Sequence, residues 1–249
     1  MMYLSFLIEI KGIVQGVGFR PFVYNLAIKH GINGWVNNDD KGVNILIYAS
    51  YENCQNFLDE LQKNPPKLSH IDDIKIEEII SSKEYKTFEI IQSETSNNKS
   101  TIILPDMGIC ADCIDDINDN SNFRHNYPLT NCTNCGPRYS IIKTVPYDRI
   151  NTSMATFEFC KNCKDEYTNP TNRRYHAQPV ACEICGPNIT LYSKNNSILS
   201  YNLEAVQQIA NLINEGNIVA IKGLGGFHLV CDAKNSKTIE ELRLRKNRP

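Results

Sequence analysis

Four copies of one cysteine pair constrain this chain more than any other feature. Cys110 and Cys113, Cys132 and Cys135, Cys160 and Cys163, and Cys182 and Cys185 all have C-x-x-C spacing, with 18, 24 and 18 residues between successive pairs. A C-x-x-C turn puts two thiolates on one side of a short loop, at the spacing of one edge of a zinc tetrahedron. The pattern repeats at an offset of 50 residues: Asp115 aligns with Asp165, Asn122 with Asn172, Arg124 with Arg174, and Cys135-Gly136-Pro137 with Cys185-Gly186-Pro187. A duplicated unit that carries its own four ligands closes its own site. The expected pairing is therefore Cys110/Cys113 with Cys132/Cys135, and Cys160/Cys163 with Cys182/Cys185, holding two structural zinc ions. Short disulfides or an iron–sulfur site are the competing uses of these thiols, and spacing alone also permits pairing across the units.

The redox setting bears on that choice. No basic region precedes the apolar start of the chain, no small-residue cleavage site follows it, and no apolar run approaches bilayer length. A reducing, cytoplasmic setting is expected, where thiolates hold metal more often than they form bridges. Cys54 and Cys231, outside the pairs, read as small apolar residues. With a net charge of −2 over 249 residues and no basic stripe, neither a nucleic-acid nor a membrane partner is expected.

Ahead of the cysteines lies a second constellation. Leu4 to Ile10 reads as a strand, followed by Gly12-Ile-Val-Gln-Gly-Val-Gly-Phe-Arg20. Three glycines in seven residues allow a tight turn with several N–H groups aimed inward. Pro21 suits the first turn of a helix, Phe22, Val23, Leu26 and Ala27 give that helix an apolar face, and Gly31 stops it. A glycine loop running into a helix N-terminus with a guanidinium at the junction is an anion site by geometry. A hairpin over residues 31–47, an amphipathic helix over Glu52 to Lys63 ended by Pro65-Pro66, and strands over 71–80 and 85–91 complete a β-α-β-β-α-β order, the ferredoxin-like arrangement.

This first segment resembles the acylphosphatases. Their signature G-x-V-x-G-V-x-F-R is met by Gly12, Val14, Gly16, Val17, Phe19 and Arg20, and their G-x-V-x-N segment by Gly34-Trp35-Val36-Asn37-Asn38. The resemblance implies that Arg20 and the N–H groups of Gln15, Gly16, Val17, Gly18 and Phe19 hold the phosphoryl oxygens, and that Asn38 orients the attacking water. Phosphoryl transfer needs charge neutralisation and positioning more than a strong base, so an uncharged Asn suits that task.

Residues 93–100 are polar and aperiodic and read as a linker. The cysteine units beyond have little apolar content, so metal binding would supply much of their stability, and no open ligand position is apparent. They also carry wording a metal scaffold does not require: Asn131-Cys-Thr-Asn-Cys-Gly-Pro-Arg-Tyr-Ser140, Pro146-Tyr-Asp-Arg149 and Asn172-Arg-Arg-Tyr-His-Ala-Gln-Pro179. With the four pairs at these gaps, it resembles the hydrogenase-maturation carbamoyltransferases, the HypF family. Arg173, Arg174 and His176 are expected to pack between domains or to contact an anion rather than to ligate metal.

The last stretch reads as a helix over Leu203 to Asn214 capped by Gly216, a strand over 218–221, a glycine-rich turn into a second strand, and a helix opening at Ser236. It resembles the beginning of a YrdC-like domain, in which Lys246 and Arg248 would help hold a nucleotide.

The overall expectation is an α+β chain: a ferredoxin-like acylphosphatase domain over 1–93, tandem four-cysteine zinc modules over 101–193, and an incomplete α/β YrdC-like domain over 198–249. The resemblance implies hydrolysis of carbamoyl phosphate at the first domain. In longer family members it implies ATP-dependent transfer of the carbamoyl group to a C-terminal cysteine of HypE, with further domains following. The competing reading is a zinc-dependent scaffold with an inert phosphate loop.

Overall fold

A computed structural model describes residues 4–80, 84–93 and 102–248; the linker expected over 93–100 lies almost wholly outside the described residues. The chain forms two compact units, Met1–Gly186 and Pro187–Pro249.

The first unit opens with the expected order: β1 (Leu4–Ile13), α1 (Phe19–Lys29), β2 (Asn33–Asn38), β3 (Val43–Ala49), α2 (Tyr51–Lys63), β4 (His70–Ile79) and β5 (Phe88–Ile90). The strands form one sheet in the order β4-β1-β3-β2-β5, antiparallel except for the parallel β2·β5 pair. Alternation along β1 puts Phe6, Ile8 and Ile10 on one face. There they join Val23, Leu26 and Ala27 of α1 and Phe57, Leu58 and Leu61 of α2 in a single core. Ser50 caps α2, its hydroxyl accepting from Asn53 N–H at 3.3 Å. The edge strand β4 exposes Asp72, Asp73, Lys75, Glu77 and Glu78, charges that discourage edge-to-edge pairing.

Two helices follow that sequence periodicity did not announce, α3 (Ala111–Asn118) and α4 (Lys161–Thr168). Each is only eight residues long, too short for periodicity to stand out, and each starts directly after the first cysteine of a pair and buries the second, Cys113 or Cys163. They lie 50 residues apart, as do the left-handed residues Asn126 (φ 59°) and His176 (φ 53°), whose N–H groups donate to Ile117 and Tyr167 carbonyls. The duplication is thus one of backbone conformation as well as of ligands.

Within the second unit, β6 (Thr190–Tyr192) and β7 (Ile198–Tyr201) form a hairpin ahead of α5 (Asn202–Asn214), and β8 (Val219–Gly223) pairs antiparallel with β9 (Gly226–Val230) before α6 (Ser236–Lys246). The β6–β7 hairpin was not anticipated; its strands are short and its turn is built from Ser193 and Ser197, without a glycine signal. No helix among the described residues is long and apolar enough to cross a membrane.

Candidate functional site: an anion cup walled by the cysteine modules

The loop between β1 and α1 turns through two left-handed glycines, Gly16 (φ 73°) and Gly18 (φ 74°), a conformation that side-chain-bearing residues rarely adopt. The result is a run of main-chain donors with nowhere to go. Among the described residues, the N–H groups of Gly16, Val17, Gly18 and Phe19 donate to no carbonyl and no side chain. Gly16 and Gly18 are half-buried and Val17 and Phe19 buried, and a run of free main-chain donors of this kind beside a helix start has the form of an anion cradle.

Arg20 lies in the first turn of α1, only 8% exposed. Its Nη2 is 2.6 Å from Asp148 Oδ1 and donates to the Tyr147 carbonyl at 3.4 Å, and its Nη1 donates to Ser93 Oγ at 3.3 Å. Asn38, at the end of β2 and buried, has its amide beside the guanidinium. With Oδ1 turned toward Arg20, it accepts from Nε and Nη2, each at 3.2 Å. The structure thus brings Arg20 and Asn38 together at the open end of the loop. Gln15 uses its side chain as a strut: Nε2 donates to the carbonyls of Asp39 and Gly42 at 2.7 Å, and Oε1 accepts from Tyr147 N–H at 2.9 Å.

The cup is not built by this domain alone. Thr133, Arg138, Tyr147 and the His176–Pro179 segment line the same cavity as Gly16, Gly18, Arg20 and Asn38. Arg138 Nε donates to the Gly16 carbonyl at 2.5 Å. Thr133 packs so closely that a Cβ on Gly18 would sit 3.1 Å from its own Cβ. Burial, and then the nearby Arg20 charge, push the His176 imidazole down to about 4, so it is neutral at pH 7. The stretches holding Arg138, Tyr147, Asp148 and Gln178 stood out in the sequence, but nothing in their spacing tied them to a loop more than a hundred residues earlier. Arg149 secures this wall, donating through Nη1 to the carbonyls of Gln178 (2.6 Å) and Val180 (2.9 Å) while its guanidinium covers the Phe159 ring at 4.1 Å.

The cysteines cluster in two groups of four, Cys110/Cys113/Cys132/Cys135 and Cys160/Cys163/Cys182/Cys185, each with all Sγ atoms within 4.8 Å of one another. This is the pairing expected from the repeat. The separations fit a zinc tetrahedron, for which Zn–S bonds of about 2.3 Å imply S···S edges of about 3.8 Å. Cys110–Cys132 and Cys132–Cys135 are 3.7 and 3.8 Å apart, and Cys160–Cys182 and Cys182–Cys185 are 3.6 and 3.7 Å apart. Guanidinium donors offset the negative charge of four thiolates: Arg173 Nη1 lies 3.0 Å from Cys113 Sγ, and Arg124 Nη2 lies 3.2 Å from Cys163 Sγ. Arg173 and Arg174 therefore pack between the modules, whereas His176 faces the cup.

In the second unit, Lys246 ends α6 and Arg248 follows the left-handed Asn247; both side chains are exposed.

Comparison with known proteins agrees with this architecture. Residues 6–90 match the Acylphosphatase family, residues 109–142 and 159–192 each match the HypF finger, and residues 211–249 match a family described as "Telomere recombination". The first segment is 40% identical to an acylphosphatase from Oceanobacillus iheyensis over 85 residues, covering 92% of that protein and 33% of this chain. A carbamoyltransferase HypF from Synechocystis is 49% identical over 242 residues, 97% of this chain and 31% of the relative. A crystal structure of full-length HypF in the phosphate- and nucleotide-bound form superposes with a TM-score of 0.90 at 42% identity, covering 99% of this chain and 32% of that one. The chain thus spans about a third of the length of the HypF relatives it matches. With an acylphosphatase domain, two HypF fingers and this likeness along nearly its whole length, the chain belongs to the HypF carbamoyltransferase family.

Proposed function

We propose that the cup hydrolyses carbamoyl phosphate, the first step of carbamoyl transfer. The observation that carries this reading is the run of unpartnered N–H groups from Gly16 to Phe19 beside the buried Arg20–Asn38 pair. The phosphoryl oxygens sit on those N–H groups and on Arg20, which together offset the charge that spreads over them as the bond to the leaving oxygen stretches. Asn38 holds the attacking water. Water oxygen bonds to phosphorus, the bridging P–O bond breaks with its electron pair leaving on carbamate, and the water's proton goes to the products, carbamate and inorganic phosphate. His176 is neutral at pH 7 and adds no charge to the cup.

Three functional modules follow, at 1–93, 101–193 and 198–249. The two cysteine clusters each hold a structural zinc ion, which when bound cross-links the module and has no open coordination position. In the longer family proteins, the YrdC-like region, with Lys246 and Arg248 beside the nucleotide, would use ATP to activate the carbamate for transfer to a HypE-like acceptor cysteine. Eight clustered thiols suit a reducing cytoplasm.

Phosphate release from carbamoyl phosphate and from acetyl phosphate tests the reading. Arg20→Ala should lower turnover by about 100-fold or more while zinc content stays at two per chain. Undiminished turnover in that variant would remove the cup as the site.

A further inference from the structure

Arg138 belongs to the first cysteine module, yet it reaches back to the phosphate loop. It is 1% exposed; its main-chain N–H donates to Asp106 Oδ1 at 2.8 Å, and its guanidinium donates to carbonyls: Nε to Gly16 at 2.5 Å, Nη1 to Cys135 at 3.0 Å and Pro137 at 2.8 Å, Nη2 to Cys132 at 3.3 Å and Thr133 at 2.7 Å. No carboxylate pairs with its guanidinium among the described residues. Four of these guanidinium bonds lie within its own module and rigidify it; the fifth leaves it for the Gly16 carbonyl. That carbonyl shares a peptide plane with the N–H of Val17, which is one of the unpartnered donors of the cup. In a trans peptide the C=O and the N–H point in opposite directions. Gripping the Gly16 oxygen from one side therefore fixes the direction of the Val17 N–H on the other. A cation on the oxygen also polarises the amide and makes its N–H a stronger donor. Gly16 itself is in the left-handed region (φ 73°), so without a clamp this peptide is free to swing.

We propose that Arg138 is a positioning residue of the phosphoryl site, acting from the cysteine module through the Gly16–Val17 peptide to present the Val17 N–H to the anion. The inference rests on the reading of the loop as the phosphate site, and the experiment separates the two.

Inorganic phosphate is titrated into the zinc-loaded chain and followed by amide NMR. If the cup is the phosphate site, amides of residues 16–20 move; if none moves, the site and this inference fall together. If they move and Val17 does not, the site stands and the role of Arg138 is overturned on the wild-type protein alone. The expected result is a downfield shift of the Val17 amide proton that saturates with its neighbours. Arg138→Lys, which keeps the charge but not the fork, should then weaken phosphate binding by about tenfold and reduce the Val17 shift, with zinc content and the remaining amide spectrum retained. Val17→Pro removes the donor while leaving Arg138 in place. Combined with Arg138→Lys it should give no loss beyond that of Val17→Pro alone, the non-additivity expected of two residues in one line of action. Phosphate affinity within twofold of wild type in Arg138→Lys, or fully additive losses in the double variant, would overturn the proposal.

Discussion

Arg124 of the first cysteine repeat grips Glu166 of the second, Nη1–Oε1 at 2.9 Å and Nη2–Oε2 at 2.5 Å, and 50 residues on the grip is returned: Arg174 of the second repeat pairs with Asp116 of the first. Each arginine also approaches a cysteine of the opposite cluster, Arg124 that of Cys163 and Arg174 that of Cys113. The two modules therefore share one reciprocal interface. Arg124 is fully buried and Glu166 is the carboxylate that pairs with it, so taking that partner away leaves the Cys163 thiolate as its nearest counter-charge. Glu166→Gln should cost about 3 kcal/mol, read as a lower denaturation midpoint in excess zinc, and should do so although it touches no metal ligand.

Metal removal has a second consequence. A strong chelator at neutral pH should unfold the region of both clusters, because structural zinc sites of this kind supply on the order of 10 kcal/mol of folding energy. Since Thr133, Arg138, Tyr147 and His176 wall the cup, phosphate release should fall with the metal and return on re-addition. Circular dichroism and phosphate release followed in parallel check this, with unchanged turnover in the metal-free chain as the contrary outcome.

Asn38 offers a cleaner catalytic probe than Arg20, because it carries no charge. Asn38→Ala should lower kcat by about 100-fold with little change in inorganic phosphate affinity, because the amide is assigned to water and the N–H run to the anion. Equal losses in kcat and in affinity would place Asn38 on the anion instead.

His176 gives a pH signature. Its folded value of about 4 lies below the ordinary 6.5, so the unfolded chain binds the proton more readily. The imidazole therefore contributes stability above pH 6.5 that is lost as pH falls from 6.5 toward 4, with a ceiling of about 3 kcal/mol. Its ring resonances should stay in their neutral positions down to pH 5 in the phosphate-free chain. Bound phosphate, being anionic, should raise the midpoint.

What the sequence made legible was what is local. C-x-x-C pairs declare themselves because both cysteines come from one turn, and the repeat predicted the grouping into two clusters of four that the fold brings together. The glycine loop, Arg20 and Asn38 were likewise readable from short motifs. Arg138 was not, because its partner Gly16 is 122 residues away and its own neighbours show only a repeated cysteine turn without a visible target. The crossing of Arg124 and Arg174 was equally hidden: the repeat aligns them, but alignment does not say that each reaches into the other module. Gln15 shows the opposite limit. Its place in the motif implied main-chain contact with phosphate; its side chain also ties the β2–β3 turn to Tyr147, a structural task no motif encodes.

The bond from Tyr147 N–H to Gln15 Oε1 lets a segment lying between two metal-stapled repeats complete a vessel whose floor belongs to another domain. Cut free, the first ninety residues would present their loop as an open dish. Walled as it is here by Thr133, Arg138, Tyr147 and His176, the same loop would, on the proposed function, let its product leave beside residues whose placement depends on the cysteine modules.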